Sequence, residues 1–349
     1  MKGNPAMSAT LLAGAEDPPP HGFVRSARMQ LVALLAGALL ASPCAEAADT
    51  IRLAMQKTGT VAWEIATMKA LGLDKAADLD IQTAELATPE SGKIALQGGA
   101  ADLIVSDWLW AARERTLGDK LLFAPYSTAL GAVMAPKEQP IHALADLAGR
   151  SLGVAGGPLD KSWLLVQAAA RKEGVDLARA ARPAYGAPPL IAEKLASGEL
   201  DAALEFWTFS VALEARGFRR AVDMAGVEKT LGATGPVAMT GYVFTEAFAR
   251  DHGDALRRFL DAAARARQAL ASDPALWTPI KARLRLTDEA ALDIYRKRYA
   301  EGVPKRSVAE EAQDAKALYR AIVAVGGPDL VGGAADLDTG LFYDANAAR

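Results

Sequence analysis

The sequence predicts an α/β protein of two similar lobes, each a mostly parallel sheet flanked by helices, followed by a helical C-terminal segment. Three observations predict it. From Ile51 onward, short apolar runs alternate with amphipathic stretches, the order that yields parallel strands covered by helices. A spaced set of Leu96, Gly99, Asp102 and Trp108 recurs in register as Leu195, Gly198, Asp201 and Trp207. The chain, at 349 residues, exceeds the usual size of one core.

Composition narrows the function. With 51% hydrophobic and 23% charged residues, wholesale disorder is excluded. The 39 Lys and Arg against 42 Asp and Glu leave no excess of base for a nucleic-acid face. One Cys and three His leave little for thiol chemistry, zinc or a His-based triad.

Residues 1–47 read as a leader and export signal. Arg25 and Arg28 precede the apolar run Leu31–Leu40, and Ala45 and Ala47 flank Glu46 as a cleavage signature. The run is shorter than the ~20 residues that span a bilayer. Cleavage after Ala47 starts the mature chain at Ala48 and removes Cys44. A periplasmic location is expected, and no later segment has ~18 uninterrupted apolar residues.

The first segment of lobe one is expected at 48–135. Ile51–Gln56 is a strand, and Val61, Ile65, Met68 and Leu71 share one face of a helix. Ile81–Leu86 alternates as a second strand. Ile94–Gln97 is a short helix closed by Gly98 and Gly99. Asp102–Ser106 is a strand buried on both faces. Pro136–Pro140 marks the first crossing. Lobe two, 136–236, repeats the order: strand Arg150–Ala155, helix Leu159–Glu173, strand Ala181–Tyr185, helix Leu190–Ala196, strand Asp201–Glu205. The segment 237–349 returns as strand Val237–Phe244 and continues as helices. Asp254–Ala271 carries Leu256, Phe259, Leu260, Ala263 and Leu270 on one face, with Arg257, Arg258 and Arg265 off it and Arg267 nearer its edge. Thr287 begins another helical stretch, and Ser307–Val325 is stopped by Gly326, Gly327 and Pro328.

Two lobes joined by crossings form a cleft, and open sheets bind ligands beyond the carboxyl ends of their strands. The candidate residues therefore lie in the loops after each strand. Lobe one offers Gln56, Thr58 and Trp63, then Glu90 and Ser91, then Ser106, Asp107 and Trp108. Lobe two offers Gly157, Asp160, Lys161 and Ser162, then Tyr185, then Glu205 and Trp207; the returning strand adds Thr240. Five of the six tryptophans (Trp63, Trp108, Trp110, Trp163 and Trp207) fall at these loops, suiting an organic solute or a cation on a ring face. Gly157 before a helix permits an anion at free N–H groups, but Asp160 as a cap occupies them. Glu90, Asp107, Asp160 and Glu205 act as caps or, where they converge, favour a neutral or cationic solute. No spacing matches a metal loop, a phosphate loop or a nucleophile elbow, so no metal, cofactor or catalytic residue is expected.

The first strand, the stretch Leu96–Val105 and above all Asp146–Val154 resemble ABC-transporter solute-binding proteins of the nitrate/sulfonate/taurine (NitT/TauT)-like group, over roughly Ile51–Ala271. The resemblance implies a two-lobe periplasmic binding protein type II fold, a monomer that closes on a small solute and delivers it to an ABC permease. Hinges are expected near Ala135–Gln139 and Gly235–Val237. Two departures concern the solute. Phe206 and Trp207 follow Glu205 where many members have Glu-Pro, and the loops carry acids and tryptophans where sulfonate binders offer hydroxyls and an Arg. Two other functions remain open: a periplasmic accessory or sensor protein for a cation or metal complex, and an enzyme on the same fold, as in the menaquinone pathway.

Overall fold

The computed structural model describes residues 48–57 and 59–345; the export signal, Cys44 and Thr58 lie outside them. The chain builds β1 (Asp49–Gln56), β2 (Leu79–Leu86), β3 (Leu103–Asp107) and β4 (Leu121–Ser127). It crosses and builds β5 (Gly131–Ala135), β6 (Ser151–Ala155), β7 (Arg182–Gly186), β8 (Ala202–Phe206) and β9 (Arg219–Asp223). It then returns as β10 (Thr240–Thr245). The helices used below are α1 (Val61–Ala70), α2 (Pro89–Gln97), α3 (Trp108–Leu117), α4 (Lys161–Lys172), α5 (Pro188–Ala196), α6 (Trp207–Ala215), α7 (Met224–Thr230), α8 (Gly253–Ser272), α9 (Glu289–Glu301) and α10 (Val308–Gly326), with further short helical segments between, Thr278–Leu284 among them.

The two sheets share one topology. Sheet one runs β2-β1-β3-β10-β4 and sheet two β7-β6-β8-β5-β9. In each, the first three strands are parallel and the fourth is antiparallel to both neighbours. That fourth strand, β10 or β5, is the one that has just arrived from the other lobe. The sheets are therefore mixed, and the first crossing differs from expectation. β5 pairs with β8 and β9, so the chain crosses at 128–130, and the crossing expected at Pro136–Pro140 already lies inside lobe two. All of Gly131–Ala135 is buried, which is what a central strand requires and what a linker does not.

The internal repeat has a physical cause. Gly99 and Gly198 follow their helices at φ +70° and +81°, the left-handed turn that glycine adopts without strain. Asp102 then accepts the backbone N–H of Arg52 at 2.8 Å, and Asp201 accepts that of Ser151 at 2.8 Å. Each aspartate ties the start of its own strand to the neighbouring parallel strand. The Trp at the same offset is the first residue of α3 or α6. Leu96 and Leu195 are buried beneath the turns.

Helices α1 and α8 cover one face of sheet one, burying Ile51, Leu53, Met68, Phe244 and Phe259. α3, α4 and α10 share a second cluster that runs without a break from Trp108 and Phe123 to Leu152 and Trp163. The lobes are thus joined by packing as well as by chain. The return crossing is gripped by carboxylates. Asp314 on α10 accepts from Thr234 N at 2.8 Å and Gly235 N at 3.3 Å, and Glu311 accepts from Ala238 N at 2.9 Å. Glu228 on α7 is buried beside them and pushed up to about 8, first by burial and further by Glu311, Asp223 and Asp314. Among the described residues no helix is long and apolar enough to cross a membrane.

Candidate functional site

A small cavity lies where the lobes meet. Its lining comes from the loop after β1 (Thr60), the end of β4 and the crossing (Tyr126, Ser127, Ala129), the first residue of α6 (Trp207), α8 (Arg267), and the end of α9 and the turn beyond it (Tyr299, Gly302, Val303). The space available to the centre of a water-sized sphere is about 10 Å³, room for one water. The lobes are therefore shut on it, and a solute needs them to separate.

The electrostatics rest on one pair. Glu64 on α1 is fully buried, and Arg267 Nη1 lies 3.3 Å from its Oε2. Burial raises the Glu64 carboxyl above its ordinary value, while Arg267 and the Tyr242 hydroxyl, which donates to Oε1, pull it back. Arg267 Nη1 also donates to Tyr126 O at 3.0 Å, and the guanidinium sits 5.1 Å from the Tyr126 ring centroid. Its Nε and Nη2 make no hydrogen bond among the described residues. The Thr60 and Tyr126 hydroxyls share a hydrogen bond at 3.1 Å. Aromatic rings wall the rest. Trp63 lies 5.9 Å from Trp207, 5.7 Å from Trp277 and 6.3 Å from Tyr299, and Trp207 lies 6.5 Å from Tyr299. The Tyr299 hydroxyl is buried without a hydrogen-bond partner among the described residues.

Of the residues expected from sequence, Trp207 lines this cavity and Trp63 packs directly behind it. A second group meets across the cleft. Asp107 caps α3 through Trp110 N at 2.8 Å, and its other oxygen faces Lys161 of lobe two at 3.8 Å. Asp160 caps α4, accepting from Ser162 N at 2.9 Å and Trp163 N at 3.4 Å. Burial works against the Lys161 charge, yet Asp107 and Asp160 hold its pKa above the ordinary value. The first N–H groups of α4 are therefore already bonded, and Gly157 forms a turn, accepting from Asp160 N at 3.0 Å. Thr240 pairs with both Asp107 and Ser127, and Ser106 is buried opposite Gly241.

Other expected residues stand elsewhere. Trp108 is fully buried in the shared core, because the first residue of α3 turns under sheet one. Glu90 is exposed on the first turn of α2, where Ser91 bonds Thr88 Oγ1. Ser162 is buried, Tyr185 is exposed, and Gln56 is half-buried at the end of β1. Glu205 is buried in sheet two, both its oxygens without a hydrogen-bond partner among the described residues, and burial pushes it up to about 8. The carboxylates thus do not converge as a free acidic cluster.

Sequence reasoning misses Thr60, Tyr126, Ser127, Arg267 and Tyr299. For Arg267 a signal exists. It stands four residues after Ala263 and three before Leu270, which places it on the buried face of α8. For Tyr126 and Ser127 there is none, because β4 carries no strand pattern of its own. Among the described residues no three His, Cys, Asp or Glu side chains are placed to hold a metal ion. A second, polar groove of about 540 Å³ lies on lobe one, lined by Arg115, Lys120, Asp336 and Asp338 among others. Arg115 there pairs with Glu246 at 2.6 Å and with Asp338 at 2.8 Å, and Asp336 pairs with Lys316 and Arg320 beside the groove.

A family model described as NMT1/THI5 like matches residues 65–276. No curated protein matches the chain by sequence. Solved structures do match in fold. The alkanesulfonate-binding protein SsuA from Xanthomonas axonopodis pv. citri, bound to MOPS, superposes with a TM-score of 0.63 at 18% identity, over 84% of this chain and 98% of that one. The periplasmic aliphatic sulphonate binding protein SsuA from Escherichia coli gives 0.63 at 18%, over 83% and 92%. The desulfurization enzyme DSZB gives 0.52 at 16%, over 81% and 93%. At these identities the likeness is one of fold.

Proposed function

The chain belongs to the NMT1/THI5-like family, and from that premise we propose that it is the periplasmic solute-binding component of an ABC importer. It captures a small organic solute between its lobes and delivers it to a membrane permease. The observation that carries this reading is the cavity itself, which takes its walls from both lobes and from the crossing between them. A ligand held there bonds both lobes at once and so favours the closed form over the open one. The sulfonate-binding neighbours support the reading by fold. DSZB shows that an enzyme can share that fold; the binding reading rests on the interlobe cavity, which is lined by rings, hydroxyls and a paired guanidinium. Export to the periplasm rests on the leader pattern together with these neighbours.

A thermal-shift and Trp-emission screen of sulfonates, carboxylates, amines, pyrimidines and metal ions tests the proposal. At least one small organic solute raises the melting temperature and changes Trp emission, since Trp63 and Trp207 stand at the site. A protein indifferent to the whole panel is not a solute-binding component.

A further inference from the structure

The family model ends at 276, yet one wall of the cavity comes from beyond it. Helix α9 lies against both α8 of lobe one and α6 of lobe two. On the lobe-two side, Arg298 grips Glu214 twice, Nε to Oε2 at 2.9 Å and Nη2 to Oε1 at 2.5 Å, and the Tyr295 hydroxyl donates to Thr208 O at 3.1 Å. On the lobe-one side, Tyr299 packs 5.4 Å from Trp277, whose Nε1 donates to Leu270 O on α8 at 2.8 Å. At its end, Gly302 O accepts Thr128 N at 2.9 Å, on the crossing itself. Residues 289–303 therefore strap the two lobes together over the cavity.

On this strap the Tyr299 hydroxyl is buried and has no hydrogen-bond partner among the described residues. It lines the same cavity as Arg267, which keeps two nitrogens unbonded. The Arg267 nitrogens can only donate, and the Tyr299 hydroxyl can donate as well, so one acceptor between them satisfies both. The Arg267 charge, however, is already balanced by Glu64 at 3.3 Å. A second anion there would leave one buried negative charge uncompensated, a cost that hydrogen bonds do not recover.

We propose that residues 289–303 form part of the solute site, with Tyr299 as a specificity-determining residue, and that the preferred solute is uncharged and presents a carbonyl- or sulfonyl-type acceptor to Tyr299 and Arg267. This rests on the solute-binding reading and narrows it. An uncharged acceptor satisfies both donors without disturbing the Glu64–Arg267 pair. An anion of the same shape meets Glu64 across the guanidinium.

The test uses two isosteric pairs as probes, acetamide against acetate and methanesulfonamide against methanesulfonate, each titrated into the full chain with Trp emission and saturation-transfer NMR as readouts. The amides are expected to bind at least tenfold more tightly than their anions. Tyr299→Phe keeps the ring and its packing and is expected to lose about tenfold for the amides, the size of one net hydrogen bond to a buried donor. Arg298→Ala, which removes the strap's ion pair with α6, is expected to weaken amide binding and to speed hydrogen exchange across 289–303. Anions that bind as tightly as the amides, or a Tyr299→Phe protein that binds the amides unchanged, overturn the proposal. If none of the four probes binds while another solute of the broader screen does, this proposal falls and solute binding stands. If nothing in either set binds, both fall.

Discussion

At Arg267 a full charge sits inside an aromatic pocket because Glu64 lies 3.3 Å away and Tyr126 O accepts from Nη1. Removing one member of such a pair strands the other. Arg267→Met is expected to destabilise the fold by about 3–5 kcal/mol, whereas replacing both members with apolar residues costs far less; urea unfolding of the two variants measures the difference. Glu205 gives the second prediction at this scale. Its carboxyl is pushed up to about 8 by burial, while the unfolded chain holds it near the ordinary value of about 4.3. Between these values the folded state binds more protons than the unfolded state, so this group's contribution to stability is full below the lower value and is lost as pH rises towards 8. Glu205→Gln is expected to flatten that slope and to raise the melting temperature at pH 8 by about 2 °C or more, read from melting curves at pH 5 and pH 8. Single side chains are the least legible scale in the sequence. Trp63 and Trp207 stand out because tryptophan after a strand is conspicuous, and the same rule wrongly sends Trp108 to the cleft. Arg267 is hidden because its charge outweighs its helical phase.

Elements are more legible, and the exceptions have one cause. The parallel strands β1, β2, β3, β6, β7 and β8 each follow or precede an amphipathic helix, so the change of period marks them. β4, β5 and β9 lack that frame. β4 contains Pro125, β5 reads as a few small apolar residues beside prolines, and β9 begins with Arg219 and Arg220. Their places are set by pairing with strands distant in sequence, which no local pattern records. The repeated turn is legible as spacing but not as mechanism. Asp201 accepts from Ser151 N and Ser151 Oγ, both at 2.8 Å, and these bonds hold its carboxyl below the ordinary value. Asp201→Ala is expected to cost about 2 kcal/mol with an unchanged urea m-value. Asp160→Ala removes the cap of α4 and is expected to cost about 1 kcal/mol in the same assay.

At the scale of the whole molecule, the lobes are held shut by the core shared through α3, α4 and α10, by Lys161 facing Asp107, and by the α9 strap. Capture requires these to yield and re-form around a solute, with the crossings at 128–130 and 233–239 as the chain that bends. The first crossing lies several residues before the one read from sequence, because β5 pairs only with strands of lobe two. Loosening the closed form without touching the cavity is expected to weaken solute binding through the open–closed balance alone. The most direct measurement is the position of a solute in a crystal of the complex, grown with whichever compound of the screen raises the melting temperature most. Capture between the lobes predicts ordered density against Trp207, Tyr299 and Arg267. Density instead in the polar groove beside Arg115 and Asp338, with the interlobe cavity empty, contradicts it.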